Sequence, residues 1–425
     1  MKRVLVISYY WPPAGGSGVQ RWVKFSKYLP QNGWQTVVYT PENPEMPGVD
    51  HTLEKDIPPG TEVIKTHISE IYGIYNKFSG GGGKSEVNPI NHQHKSFSKK
   101  AAMWVRGNFF IPDPRVSWVK PSVKFLRDYL RDHPVDAIVS TGPPHSMHLI
   151  ARELSRGTSI PWVADFRDPW TRMFYFKHLE LSGAALRRHR RLEKEVLDGA
   201  DVVVAVSPLV RDEFRGMTSS RVELVTNGFD EDDFSQERPP QGKEFRLVHT
   251  GLFAADGNPE VLWKVLGEKC RQDGGFASAL KIVLAGKTDS QILQSIGEAS
   301  LPVENLGYCS HDDTVRLQQG ASILLLPLRK EPEYRATLPG KLFEYLGARR
   351  PVLGIGQSDG AMAGVLKETL AGQTFEWEDE RGLRKYIDDS WTAYQGGGLA
   401  DTAGDISPYT RRETARRMAE ILDSL

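Results

Sequence analysis

The segment Tyr334–Gly354 reads YRATLPGKLFEYLGARRPVLG and sets a lysine and a glutamate inside apolar sequence. Lys341 and Glu344 are three apart, so on a helix they share a face. Leu342, Phe343, Leu346 and the run Pro351-Val352-Leu353 surround them, and the turn residues Pro339 and Gly340 come just before. A helix starting there would leave the N–H groups of Leu338 to Lys341 free for an anion, with Lys341 adding positive charge. Glu344, one turn in, can accept hydrogen bonds from two vicinal hydroxyls. That pairing suits a nucleoside diphosphate, with phosphates at the helix end and ribose on the carboxylate. The plainer alternative is an exposed Lys341–Glu344 pair worth a few tenths of a kcal/mol.

Other polar residues stand just after apolar runs. YYWPPAGGSGVQRW places Gly15, Gly16 and Gly18 before a helix near Val19. Gly16-x-Gly18-x-x-Arg21 is part of a dinucleotide fingerprint with the third glycine missing, so it also reads as a plain tight turn. GPPHSMHL sets His145 behind two prolines at a helix start, where an imidazole can meet a sugar hydroxyl or a developing charge; His148 reads as packing. RDPWTRMF crowds Arg167 and Asp168 next to Asp165, either as a structural ion pair or as a sugar- or acceptor-recognising group. HTGLFAADGN carries Gly251 at a strand tip, and LAGKTDS carries Gly286 and Lys287. The second imitates a Walker A ending, but its first glycine position holds Lys281, so it is no P-loop; Lys287 can still face a diphosphate.

These residues need elements to hold them. Short apolar runs recur at 3–8, 35–40, 136–141, 161–166 and 201–207, then at 245–251, 280–286, 322–328 and 351–356. They lack strict alternation, as strands buried on both faces do. Helical patterns lie between them at 19–30, 119–131, 145–155, 183–198, 259–270, 312–319 and 340–347. Strand and helix in alternation predict parallel α/β sheets covered on both sides, with ligands at the carboxyl ends of the strands.

The series breaks at 226–243, TNGFDEDDFSQERPPQGK, which reads as a linker between two Rossmann-like domains. The expected division is 1–228, 229–405 and a C-terminal helix within 406–425. Thr410 and Glu413 form a capping box for that helix, and Ala415, Met418, Ile421 and Leu422 make an apolar stripe that needs a surface to cover. Residues 78–100 are glycine-rich and basic, an insertion that reads as a lid, a membrane-touching loop or a variable surface segment.

Composition narrows the class. Lys+Arg and Asp+Glu are both 54, so no global field draws nucleic acid. Cys270 and Cys309 cannot build a disulfide framework, which favours a reducing compartment. No run reaches the roughly 18 apolar residues of a membrane span. The opening MKRVLVISYYWPP lacks a cleavage site and reads as a first strand, so a cytoplasmic location is expected. Four arginines in LRRHRRLEKEVL (186–197) read as a solvated face or as attraction to the inner face of the cell membrane, and residues 99–110 add a basic, aromatic stretch.

Taken together, PGKLFEYLGARRPVLG, VLVISYYWPPAGGSGVQR, STGPPHS, VADFRDPW, VTNGFDEDDF, HTG, LAG and NLGYCSHDDTVRLQQGASILLLPL resemble the retaining "group 1" glycosyltransferases of family four over nearly the whole chain. The resemblance implies a GT-B fold: two Rossmann-like domains facing a cleft, with the C-terminal helix crossing back to the first. It implies sugar transfer with retention, no cofactor and no catalytic metal, from a UDP- or GDP-sugar to a hydroxyl of a glycan or lipid-linked acceptor. Carried over, Glu344 binds the ribose, and Lys341 with the Thr337, Leu338 and Gly340 backbone holds the diphosphate. Gly15, Gly16 and Gly251 allow close approach, His145 contacts the sugar, and the candidate catalytic residues are His145, Asp168 and Lys341. The family's paired glutamate eight positions before Glu344 is Ala336 here, and LFAADGNP lacks the usual basic pair, leaving Lys287 as the nearby cation. Members with an RDPW-like motif and the same glutamate loss build surface polysaccharides. The rival expectations are an inactive nucleotide-sugar-binding or scaffold homologue, a sugar-nucleotide epimerase of the same shape and, more remotely, an NAD-dependent oxidoreductase.

Overall fold

The computed structural model describes all residues except 47, 70–103, 174–175, 177–178, 236–243, 398, 400 and 403. The insertion at 78–100 and the start of the basic, aromatic stretch, 99–103, therefore lie outside the described residues. The chain divides into two compact units, Met1–Thr226 with Thr414–Leu425, and Asn227–Glu413.

The first unit carries β1 (Lys2–Ile7), β2 (Trp34–Pro41), β3 (Glu62–Thr66), β4 (Ala137–Gly142), β5 (Trp162–Phe166), β6 (Val202–Ala205) and β7 (Arg221–Leu224) in one sheet of order β3-β2-β1-β4-β5-β6-β7. All its pairings are parallel; Val4 of β1 faces Thr36 of β2 on one side and Ala137 of β4 on the other. β4 is buried along its whole length and β1 from Val4 onward, which is why their sequences are apolar without alternation. Helices cover the faces by their periodicity. In Val119–Asp132 the buried Val123, Leu126 and Leu130 recur at helical spacing.

The final helix, Arg411–Asp423, belongs to this core by its apolar stripe. Ala415, Met418, Ile421 and Leu422 join Trp22, Phe25, Trp34 and Val4 in one hydrophobic cluster. At its start the Glu413 N–H donates to Thr410 Oγ1 at 3.1 Å, one half of the expected capping box.

The second unit repeats the plan with β8 (Phe245–Thr250), β9 (Leu280–Ala285), β10 (Val303–Gly307), β11 (Ile323–Pro327), β12 (Val352–Ile355) and β13 (Gly372–Phe375), all parallel, in the order β10-β9-β8-β11-β12-β13. The first part of the expected linker is packed structure. Phe229 and Phe234 meet edge-on at 5.8 Å and seat on Gly347, where a Cβ would come within 2.5 Å of the Phe234 ring. The charged residues between them hid this aromatic anchor in the sequence.

Both sheets are doubly wound. In each, the strand order reverses once, between β1 and β4 and between β8 and β11. The carboxyl ends at those points are where such sheets bind ligands.

Candidate active site

At the β8/β11 switch point two glycines make the approach. Gly251 has φ +84° and Gly286 φ +124°, and a Cβ on Gly286 would lie 2.4 Å from the Gly251 carbonyl oxygen. Only glycine fits at 286, because the two backbones touch. The helix Gly340–Ala348 begins beside this loop, with no side-chain cap on its first turn. Its leading amides are the unpaired donors of a helix N-terminus. The Thr337 N–H is spent on Tyr334 O, and Pro339 has no N–H. The amides this helix start leaves for an anion are therefore those of Leu338, Gly340 and Lys341.

Lys341 reaches back over Gly251, so that a Cβ at that glycine would lie 3.5 Å from the lysine Nζ. Its ammonium donates to Leu252 O at 3.0 Å and meets His249 Nε2 at 3.2 Å. Burial pulls the Lys341 pKa down to about 8, against the opposing field of Glu344. Glu344 is held separately: Gln318 Nε2 donates to Glu344 Oε2 and to Thr250 Oγ1, both at 3.1 Å. Among the described residues Lys341 and Glu344 form no ion pair, so the plain surface-pair reading fails. Tyr345 closes the floor, accepting from the Thr250 N–H at 3.0 Å, and burial lifts its phenol to about 12.

Lys287 follows β9 with its side chain exposed, and its carbonyl accepts from the Phe253 N–H at 3.0 Å, which joins it to the same loop region. Ala336 ends a short 3-10 turn, and neighbouring Arg335 is engaged by Asp359 at 2.9 Å. Sequence reasoning missed His249 and Gln318. His249 sits inside a strand and Gln318 in a polar helix, and neither position carries a local signal.

The β1/β4 switch point is built differently. Gly16 has φ +106° and precedes the uncapped helix Ser17–Tyr28; Gly15 is buried, and its N–H donates to Gly48 O at 2.9 Å. Arg21, at the missing third glycine, is a buried structural residue. It donates to Asp165 through Nε and Nη2 and to the carbonyls of Val225 and Thr226, and both side chains of the pair are 0% exposed. Trp22 Nε1 and Thr141 Oγ1 complete the shell around Asp165 at 2.8 and 2.9 Å. Burial raises the carboxyl pKa, but Arg21 and these donors win and hold it below the usual range.

His145 lies just before the helix Ser146–Ser155 and stacks on Trp170, the rings parallel within 1° and 4.7 Å apart. It is 4% exposed, and neither ring nitrogen has a partner among the described residues. Burial holds its pKa well below the usual value, so the ring is neutral and can still accept or donate. His148 packs as expected, its Nδ1 2.8 Å from Ser140 Oγ and its ring on Phe166. Arg167 does not pair with Asp168; it donates to the carbonyls of Gly18 and Pro143. Asp168 accepts no hydrogen bond among the described residues, and burial pushes its carboxyl up to about 6, against Arg167.

Elsewhere in this unit Trp104, Val105 and Phe109 are exposed, as are Arg187, Arg188, Arg190 and Arg191 on the helix Gly183–Gly199. Among the described residues no helix is long and apolar enough to cross a membrane. Nor does any group of His, Cys, Asp and Glu among them have the arrangement to hold a metal ion.

A family model described as a glycosyl transferase 4-like domain matches residues 100–228. No curated protein is similar enough in sequence to match. Solved structures align over the whole chain. HepE of Anabaena, determined with UDP-glucose, has TM-score 0.62 at 14% identity and covers 100% of both chains. The lipopolysaccharide outer core galactosyltransferase WaaB, in its apo form, has TM-score 0.59 at 13% identity, also with 100% of both chains. Sucrose-phosphate synthase of Thermosynechococcus elongatus has TM-score 0.57 at 15% identity, covering 99% of this chain and 95% of its own. These likenesses establish the GT-B fold.

Proposed function

We propose that the chain is a retaining glycosyltransferase that moves a sugar from a UDP- or GDP-sugar to a hydroxyl of a glycan or lipid-linked acceptor in surface polysaccharide synthesis. The observation that carries this reading is the β8/β11 switch point. There an ammonium and a helix N-terminus stand one turn from an acceptor carboxylate that is not paired with the ammonium. Lys341 and the leading amides would hold the diphosphate, with Lys287 as an outer cation. Glu344 would accept from the ribose hydroxyls. The match to a glycosyl transferase 4-like domain supports the reaction class.

In the transfer the acceptor oxygen bonds to the anomeric carbon and the bond from that carbon to the phosphate oxygen breaks. The acceptor proton passes to the departing phosphate, and fixed positive charge at that phosphate stabilises the charge it gains. No cofactor enters this scheme. The neutral His145 and the unpaired Asp168 are assigned to the sugar and acceptor side, since each has capacity left for a hydroxyl. Exposed Trp104 and Phe109 with the four arginines are assigned to peripheral contact with an anionic membrane surface; failure to sediment with anionic liposomes at low salt would remove that assignment.

The first test is a thermal-shift series with UDP, GDP, ADP, CMP and NAD on the wild type and Glu344→Ala. A shift with one nucleoside diphosphate, lost in the variant, is expected. A shift with NAD alone, or one indifferent to Glu344, would overturn the donor site. Ala336 favours one second reading, an inactive nucleotide-sugar-binding homologue. That protein would bind the same nucleotide yet show neither transfer nor slow donor hydrolysis, whereas an epimerase would isomerise free donor without acceptor.

A further inference from the structure

We infer that His249 is a positioning residue that aims the Lys341 ammonium at the ligand's phosphates, an inference that rests on the donor-site reading above. The partners of His249 fix its tautomer. His249 Nδ1 lies 3.0 Å from Leu325 O, and a carbonyl oxygen only accepts, so Nδ1 carries the proton. In the neutral ring Nε2 then presents a lone pair, and it lies 3.2 Å from Lys341 Nζ, so the lysine donates. The opposite tautomer would set a lone pair against the Leu325 oxygen and an N–H against an ammonium. Burial, then the Lys341 charge, hold the ring neutral against the carbonyls of Leu325 and Leu252, which favour its protonated form. Phe253 packs on the imidazole at 4.2 Å and keeps it from turning.

The consequence lies in what Lys341 does not do. Three residues from Glu344 on one helix, it would ordinarily swing into an ion pair. Instead His249 Nε2 and Leu252 O take two of its N–H groups, while Gln318 occupies Glu344. Among the described residues the third N–H of the ammonium has no acceptor. The histidine thus keeps cation and carboxylate apart, each available to its own part of a nucleotide.

Two substitutions separate this role from a structural one. In His249→Gln the side-chain oxygen can stand where Nε2 stands, keeping an acceptor for Lys341 and losing the bond to Leu325. In His249→Asn the amide can still donate to Leu325 and offers Lys341 nothing. Affinities for UDP, GDP, uridine and guanosine are measured by calorimetry, with thermal melts as the folding control. The wild type is expected to bind one nucleoside diphosphate more tightly than its nucleoside. His249→Asn should lose about tenfold of that diphosphate increment, the scale of one charge-assisted hydrogen bond, with nucleoside affinity unchanged. His249→Gln should keep it within about threefold.

The reverse order, Asn tolerated and Gln impaired, would reduce His249 to a tie between strands. No diphosphate increment in the wild type would sink the donor-site reading and this inference with it. A measurement on the wild type alone stands behind both variants: nitrogen NMR of the His249 ring should show the proton on Nδ1, and a proton on Nε2 alone would overturn the assignment.

Discussion

At the β8/β11 switch point the charged groups are held apart on separate neighbours, whereas at β1/β4 the strongest charges are spent on each other. Lys341 and Glu344 each bind neighbours yet keep capacity in hand. Arg21 and Asp165 are fully buried and bound on every side described. The polar groups left without a hydrogen bond at β1/β4, among the described residues, are a neutral His145 and Asp168. Two sheets with one winding order thus reach opposite electrostatic solutions. Fixed charge suits a diphosphate, and neutral or weakly acidic groups suit sugar hydroxyls.

The largest effect that would sharpen this contrast is on stability. Asp165→Ala leaves Arg21 buried and uncompensated, at a cost of about 3–5 kcal/mol in urea unfolding. Lys341→Met should move the same transition by less than about 1 kcal/mol. Equal losses would break the comparison.

Next comes affinity. Glu344→Ala should lower nucleoside diphosphate affinity about 10–100-fold by calorimetry, since hydrogen bonds to a charged acceptor are lost. An unchanged affinity would leave the carboxylate without its ribose.

A smaller effect lies in pH. Free Lys341 gives up its proton near about 8, with Glu344 and His249 as the titratable groups facing it. Only the ammonium form attracts phosphate, so diphosphate affinity is highest below about 8 and falls as pH rises through it. The same titration on Lys341→Met should be flat across that window.

The smallest effect concerns Asp168. Its folded carboxyl releases its proton near about 6, above the ordinary carboxylate value, so the native state binds that proton more tightly than the unfolded one. Stability is therefore lost as pH rises from about 4 to about 6. Asp168→Asn removes that loss and should gain on the order of 1 kcal/mol at neutral pH while slowing transfer. A variant neither more stable nor slower would make Asp168 a bystander.

The interior strands and the shared helix of Lys341 and Glu344 were legible in the sequence. A strand buried on both faces must be apolar throughout, and a helix spacing of three is a local property. The edge strands β3, β7, β10 and β13 escaped notice because half-exposed edges need no apolar run. The packing of Phe229 and Phe234 on Gly347 was likewise hidden among turn residues and charge.

What the sequence by itself determined is the alternation of strand and helix, the glycine tips and the placing of Lys341 and Glu344 one turn apart on a single helix. Only the tertiary structure decided which charges pair. Arg21 meets Asp165 across 144 residues of chain, and His249 acquires its tautomer from Leu325, 76 residues away. Hydrogen bonds and ion pairs act over a few ångströms of space, so partners set by sheet order leave no mark in local spacing.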